Sequence, residues 1–449
     1  MNEPKLIYLV FYAIVMTAIA IRVVRKKNNF IYCCMWIAYA VCAVVSLICK
    51  LFQPTLVGTG IMHYKWYDLS DTTIRGYALI VICCVIAFRP FKYFDHKGSL
   101  EQIGKTKRIR QFYMLFSYAY IIWTLVFIAL SLNTVLGLLR TSDYGLVRTT
   151  LFGNTDNESD FVMTTNFVAN VCYKLCLQFK LLNVLVALSM IKEKYKTKTA
   201  VVSMLCTFIV YYLYATGNAA RGGLLIFAFC CALIGVMLFQ YMPRSSKRKV
   251  FFFATIAGVV IISFFISVTV SRFASGYTDA HPILSNISFY LGHAPIEFSK
   301  ITGSLDHFAY GKTILGRLAN HYFGTPYSWS QVSSQIGYPD IGPVFVTYLG
   351  YMYTDFGSIG CIIFVSLWSW FMCGLIKRSP NRISTMFLFL YYLQYYVTGL
   401  FAVGRLEYAA MITAHIIFFV IRLAEHVLRQ QGRRNMPRYV YSNGSYRRM

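Results

Sequence analysis

Charge is what this chain lacks most. Only 13% of its 449 residues are Asp, Glu, Lys or Arg, while 57% are apolar. Soluble domains carry roughly a quarter charged residues, so a soluble globule is excluded. Acid is scarcer still, with 17 carboxylates against 43 basic residues and a net charge of +26. There is no ATP-binding motif, so the energy for any chemistry must come from a substrate or a gradient. No CxxC pair occurs, and all thirteen cysteines, from Cys33 to Cys373, fall inside apolar runs. Neither a disulfide framework nor a zinc site is expected from them. His281, His293, His307 and His321 are separated by 12, 14 and 14 residues. That is too far apart for a helical metal pair, so no metal and no other cofactor is expected. Asp355-Phe356-Gly357 matches the kinase triplet in letters only, since no Gly-rich loop or catalytic-loop motif accompanies it. Arg221-Gly222-Gly223 is one triplet and not an RNA-binding repeat. Internal repeats, low-complexity segments and a detachable soluble domain are also missing.

What is present is long apolar runs of ~17–25 residues, the length that crosses a ~30 Å hydrocarbon core. Runs at 6–21, 30–49, 74–88, 112–132, one ending at 190, 200–215, 224–240, 250–270, 356–376, 383–403 and 408–421 predict eleven membrane helices. The apolar stretch 343–375 exceeds one perpendicular crossing, so a break is expected near Thr354-Asp355-Phe356-Gly357. Its first part would lie at the interface or re-enter. The loops after the odd-numbered runs, with the tail, hold 29 of the 43 lysines and arginines, and the opposite loops are neutral or acidic. Basic loops stay on the cytoplasmic side, so the N-terminus is expected outside and the C-terminus inside. This pattern accounts for the charge without nucleic acid. Ala18-Ile19-Ala20 has the form of a signal cleavage site, but Arg22, Arg25, Lys26 and Lys27 follow at once and oppose translocation. The first span is therefore read as uncleaved. The fold class is an all-α polytopic membrane protein, one integral domain over 1–449. A large outer loop is expected at 271–342 and a basic inner tail at 429–449.

Residues 271–342 hold half of the eight histidines, together with Glu297, Asp306 and Asp340 among Gly, Pro, Ser and aromatics. Such a mixture suits an ordered loop with a shaped surface. Three arginines fall at the same expected face: Arg221 at a hairpin tip, Arg272 just past a span, and Arg405 in a tight turn beside Glu407. Orientation does not explain positive charge there. A guanidinium offers a fixed fork of donors suited to phosphate oxygens, although capping and an Arg405–Glu407 pair are the plainer uses. Lys180 lies ~16 Å from the inner end of its span, too deep for easy snorkelling. Asn170, Lys174 and Gln178 share one helical face with spacing i, i+4, i+8, and that polar stripe is expected to point into the bundle.

The Arg–Gly step in "TGNAARGGLL", the large outer segment and "FVTYLGYMYTDFGSIGCIIF" together resemble the O-antigen (oligosaccharide repeat unit) polymerases of the Wzy type. The related O-antigen ligases carry a His-Asn pair upstream of the corresponding Gly-x-x-Gly. Here Gly357-Ser358-Ile359-Gly360 is preceded by Val346 and Thr347 instead, which favours polymerase over ligase. A lipid-linked sugar flippase or transporter is the alternative from another class, although paired repeats are missing. The resemblance implies a metal-independent membrane glycosyltransferase in the bacterial inner membrane. It would move a growing glycan from undecaprenyl pyrophosphate to the next lipid-linked repeat unit at the periplasmic face. The product would be O-antigen, capsule or exopolysaccharide, with lipids and a chain-length regulator as partners. On this reading Arg221, Arg272, Arg405 and Lys180 hold the pyrophosphate, and Tyr322, Tyr327 and Trp329 stack on sugars. Glu297, His293 and Asp355 are the candidates for the catalytic base, with the choice among them open.

The orientation is testable directly. Reporter fusions at Asn29, Gln102, Lys196 and the tail should read cytoplasmic, and fusions at Thr155 and Ser304 external. An internal reading at either of the last two would place the candidate site on the wrong side of the membrane.

Overall fold

The computed structural model describes residues 5–52, 68–94, 101, 103, 105, 107–140, 164–217, 221–273, 282–323, 325–337, 347–380, 382–400, 405–434, 439–442 and 445–448. The chain runs α1 (Leu6–Arg25), α2 (Phe30–Leu51), α3 (Ile74–Ala87), α4 (Arg89–Tyr93), α5 (Lys107–Leu130) and α6 (Leu132–Arg140). It continues with α7 (Phe167–Lys192), α8 (Thr197–Gly217), α9 (Arg221–Phe239), α10 (Arg244–Phe273), α11 (Pro282–Ser304), α12 (Lys312–Phe323) and α13 (Trp329–Gln335). Last come α14 (Gly350–Arg378), α15 (Ile383–Thr398) and α16 (Arg405–Arg434), and the tail adds a hairpin of β1 (Tyr439–Ser442) and β2 (Ser445–Arg448). Among the described residues the protein is thus helical apart from that hairpin.

Among the described residues nine helices are long and apolar enough to cross a membrane, and Gly223–Phe239 is a shorter apolar one. The tenth expected run, 383–403, forms only the 16-residue α15. Its tyrosines make it too polar and it is too short to match the others by composition, because it is not built to face lipid. Every residue from Ser384 to Thr398 except Gln394 is buried. Tyr391, Tyr392 and Tyr395 donate to the carbonyls of Gln178, Ala87 and Tyr348, and Tyr39 donates to the carbonyl of Tyr396. Around them Phe88, Phe91, Trp368, Tyr348 and Phe389 pack edge-on and stacked. In contrast, α10 and α16 bury little and lie at the periphery.

The alternation expected from charge appears as two ends of the bundle. At the basic end Asn29 donates to the carbonyl of Phe94, Lys192 donates to those of Glu101 and Ile103, and Ser246 to that of Ile191. There too the Lys377 ammonium lies 4.0 Å from the Tyr93 ring centre. The Glu425 carboxylate accepts from Ile383 N at 2.8 Å and Ser384 Oγ at 2.7 Å, capping α15 from α16. The opposite end holds the starts of α3, α9, α14 and α16 together with α11–α13.

Two further sequence expectations meet the structure differently. The break near Thr354–Gly357 is present: α14 kinks at Gly357, where φ is +64° and a Cβ would come within 2.7 Å of the Phe308 ring. The segment 271–342 does not lie wholly over one face. Its first helix, α11, is built into the bundle against α2 and α3, with residues 292–300 buried. Small residues allow this. A Cβ on Gly292 would sit 3.2 Å from Ser46 Cα, and one on Gly76 would sit 2.6 Å from Ser299 Cα. Polar side chains complete the seam: Ser46 Oγ donates to Gly292 O at 2.6 Å, Ser299 Oγ donates to Thr73 O at 2.8 Å, and Thr73 Oγ1 meets Thr302 Oγ1 at 2.6 Å.

Gly76→Ala therefore tests the seam. Its methyl would collide with α11 backbone and should lower the apparent melting temperature in detergent by an amount equivalent to ~1–3 kcal/mol. Gly235→Ala, with nothing within 4 Å of the new methyl, should not. Equal melting of both variants and the wild type would place α11 away from α3.

Candidate functional site

Four helices meet around one buried lysine. Lys180, midway along α7, is 8% exposed. Its ammonium donates to Leu177 O at 3.2 Å and stands 5.4 Å and 6.0 Å from the ring centres of Tyr211 on α8 and Tyr391 on α15. A cation among apolar helices is tolerated through such contacts. Tyr211 passes the connection on, donating to Gly223 O at 3.2 Å, two residues into α9, the helix that Arg221 opens. Gln178 on α7 donates to Ala410 O at 3.3 Å, in the second turn of α16, the helix that Arg405 opens. The first turn of α9 and the second turn of α16 are thus tied to the stretch of α7 that carries Lys180. Arg272 lies in the last turn of α10, which packs against α9 and α7. The side chains of Arg221, Arg272 and Arg405 lie outside the described residues, and their backbones stand at the start of α9, the end of α10 and the start of α16.

The polar stripe on α7 is turned differently from expectation. Lys174 is exposed, Asn170 and Gln178 are half-buried, and the fully enclosed stretch begins at Lys180 and runs to Lys192. The helix packs against α5, α8, α9 and α15, and its burial is continuous only along the inner half.

On α11, His293, Glu297 and Lys300 recur with spacing i, i+4, i+7 and share one face. Glu297 Oε2 lies 3.7 Å from both His293 Nε2 and Lys300 Nζ, and exposures are 2%, 2% and 8% in chain order. Burial holds the Glu297 carboxyl above the usual carboxylate range, with the Lys300 ammonium pulling against it. Burial likewise holds Lys300 below the ordinary lysine value, offset in part by Glu297 and Asp68. Asp355 has a different task. Both of its oxygens accept from the start of α12, Thr313 N at 2.9 Å and Ile314 N at 2.8 Å, and it has no exposed surface. It caps α12 from within α14.

That cap helps to shape an open cleft of about 580 Å³ between α12 and α13, lined by Tyr310, Lys312, Leu315, Gly316, Tyr327, Gln331 and Gln335 among others. Ala309 N donates to Thr354 O at 2.8 Å and Tyr310 N to Asp355 O at 3.1 Å, which holds Tyr310 at φ +49° with its side chain 80% exposed. Gly316 is required beside Tyr327, whose ring carbon would lie 2.9 Å from an added Cβ. Tyr327 is therefore at a cleft, while the side chains of Tyr322 and Trp329 lie outside the described residues. Among the described residues no group of three His, Cys, Asp or Glu side chains is placed to hold a metal ion.

Sequence reasoning missed Lys300, Tyr211, Tyr391 and Tyr310. Lys300 was detectable as the i+3 neighbour of Glu297. The tyrosines were not, being three among 35. Comparison of the chain with models of known families, with curated proteins and with solved structures gives no match.

The Glu297 site has a pH signature. Because its folded value is raised above the ordinary ~4.3, folding favours the protonated form. Its stabilising contribution is complete below the ordinary value and is lost as pH rises through the folded value. Glu297→Gln removes that titration, so melting in detergent should shift in favour of the variant as pH rises from ~4 to ~8. A constant offset between the two proteins would show that Glu297 is ionised throughout.

Proposed function

We propose that this protein joins lipid-linked oligosaccharide repeat units, transferring a growing glycan from an undecaprenyl-pyrophosphate donor to the next lipid-linked unit. The reaction would occur at the end of the bundle opposite the basic loops, the periplasmic face if the N-terminus is outside. The observation that carries this reading is the buried Lys180 ammonium on a helix tied through Tyr211 to α9, which Arg221 opens, and through Gln178 to α16, which Arg405 opens. In the transfer an acceptor hydroxyl oxygen attacks the anomeric carbon and the bond from that carbon to the pyrophosphate oxygen breaks. Pyrophosphate departs with the electron pair, and the hydroxyl proton passes to a base. The negative charge that develops on the leaving group is what a buried ammonium, helix N-termini and guanidinium forks stabilise. The cleft beside α16 supports the glycan half of the reading, since exposed tyrosine faces and side-chain amides suit sugar rings and hydroxyls. The polyprenyl tails would lie between membrane helices. His293, Glu297 and Asp355 are buried in contacts of their own, so the reading rests on the cations and not on an assigned base.

Arg221 separates this reading from simple hairpin capping. Arg221→Ala should abolish long polymer in cells lacking the native copy while protein level stays normal. Arg221→Lys should be nearly as damaging, because an ammonium keeps the charge and loses the bidentate fork. The expected loss is ~10²–10³-fold in rate, by analogy with a deleted oxyanion donor. Polymer length on gels, normalised to protein, is the measurement. Normal polymer from either well-expressed variant would remove Arg221 from the site.

A further inference from the structure

We propose that the groove between α1 and α2 binds one anionic phospholipid in the leaflet at the basic end of the bundle. The groove, about 480 Å³, is apolar along its walls apart from Thr17, and Arg25 is the one charged side chain lining it. Its floor is made by Ala20 and Ala40, 6% and 7% exposed, whose small side chains leave the space open. Its rims are Ile21, Ile37 and Val41, each exposed by nearly half. From Arg25 to Thr17 the groove runs ~12 Å along α1 at helical rise. One leaflet of hydrocarbon is ~15 Å deep, so an acyl chain lying there reaches most of the way to the bilayer centre.

Charge decides the headgroup. Arg22, Arg25, Lys26 and Lys27 crowd the last turn of α1 and the connection to α2, and no acidic residue occurs between Glu3 and Asp68. Among the described residues none of the four is in ion-pair contact with a carboxylate. A guanidinium at the mouth of an apolar groove matches a lipid phosphate bidentately. Each cation near the surface favours an anionic over a zwitterionic lipid by about fivefold. This site lies at the opposite end from the proposed transfer chemistry and does not depend on it.

Native mass spectrometry of the intact protein in detergent tests it, with phosphatidylglycerol and phosphatidylcholine of identical chains as probes. The wild type should retain one phosphatidylglycerol at least fivefold more strongly than phosphatidylcholine. Arg25→Gln should erase about fivefold of that preference. Val41→Trp fills the groove without changing charge and should expel the retained lipid while melting normally. Lys247→Gln, at the same end but away from the groove, should behave as wild type. Equal retention of the two lipids would overturn the proposal. So would unchanged binding by Val41→Trp, a loss in Lys247→Gln as large as in Arg25→Gln, or displacement by inorganic phosphate alone.

Discussion

Where most side chains of this protein meet there is no water, so a buried hydroxyl finds its acceptor in the protein or goes without. The fold depends on how α15 answers that constraint. Three of its tyrosines reach the carbonyls of α7, of α3 and of the turn before α14, and Tyr39 of α2 reaches back to α15. A phenol serves this purpose well because the ring packs as a large apolar body and only its tip is polar. The surrounding helices are thereby fixed in angle and height against one central element. Leucines would have filled the same space without specifying which carbonyl stands opposite which residue.

The two ends of the bundle then acquire different characters. At the basic end, loops are tied to one another by side chains that donate to loop carbonyls, and Glu425 caps α15. At the other end α3, α9 and α14 begin without acidic residues in their first turns, so their N-terminal dipoles are left uncompensated by their own sequence, whereas α16 carries Glu407 in its first turn. Tyr211 and Gln178 tie α9 and α16 to the stretch of α7 around Lys180.

Insertion of α11 is the costly part of the design. Three ionisable groups are taken out of water, and a buried charge stays only with close partners. Glu297 has two, each at 3.7 Å. The seam that holds the helix in place is made of glycines and hydroxyls on α2, α3 and α11, so backbones approach closely and polar atoms pair across the gap. Pro295 within α11 is compatible with this arrangement, since residues 292–301 around it are buried in the bundle.

The sequence by itself determined that this is a helical membrane protein, where most spans begin and end, which loops share an end, and that the chain breaks near Gly357. Hydrophobic run length and the placement of Lys and Arg are local quantities, and the bilayer acts on them locally. Only the tertiary structure decided that α15 is a short buried core helix, that part of 271–342 is inserted into the bundle, and that Lys174 faces outward while Lys180 does not. It also gave Asp355 its cap on α12 and linked Lys180 to Tyr211. Each of these depends on which helix stands beside which. A tyrosine, a glycine or a buried carboxylate carries no mark in sequence of the neighbour that it will meet, and that neighbour is set by packing between residues hundreds of positions apart.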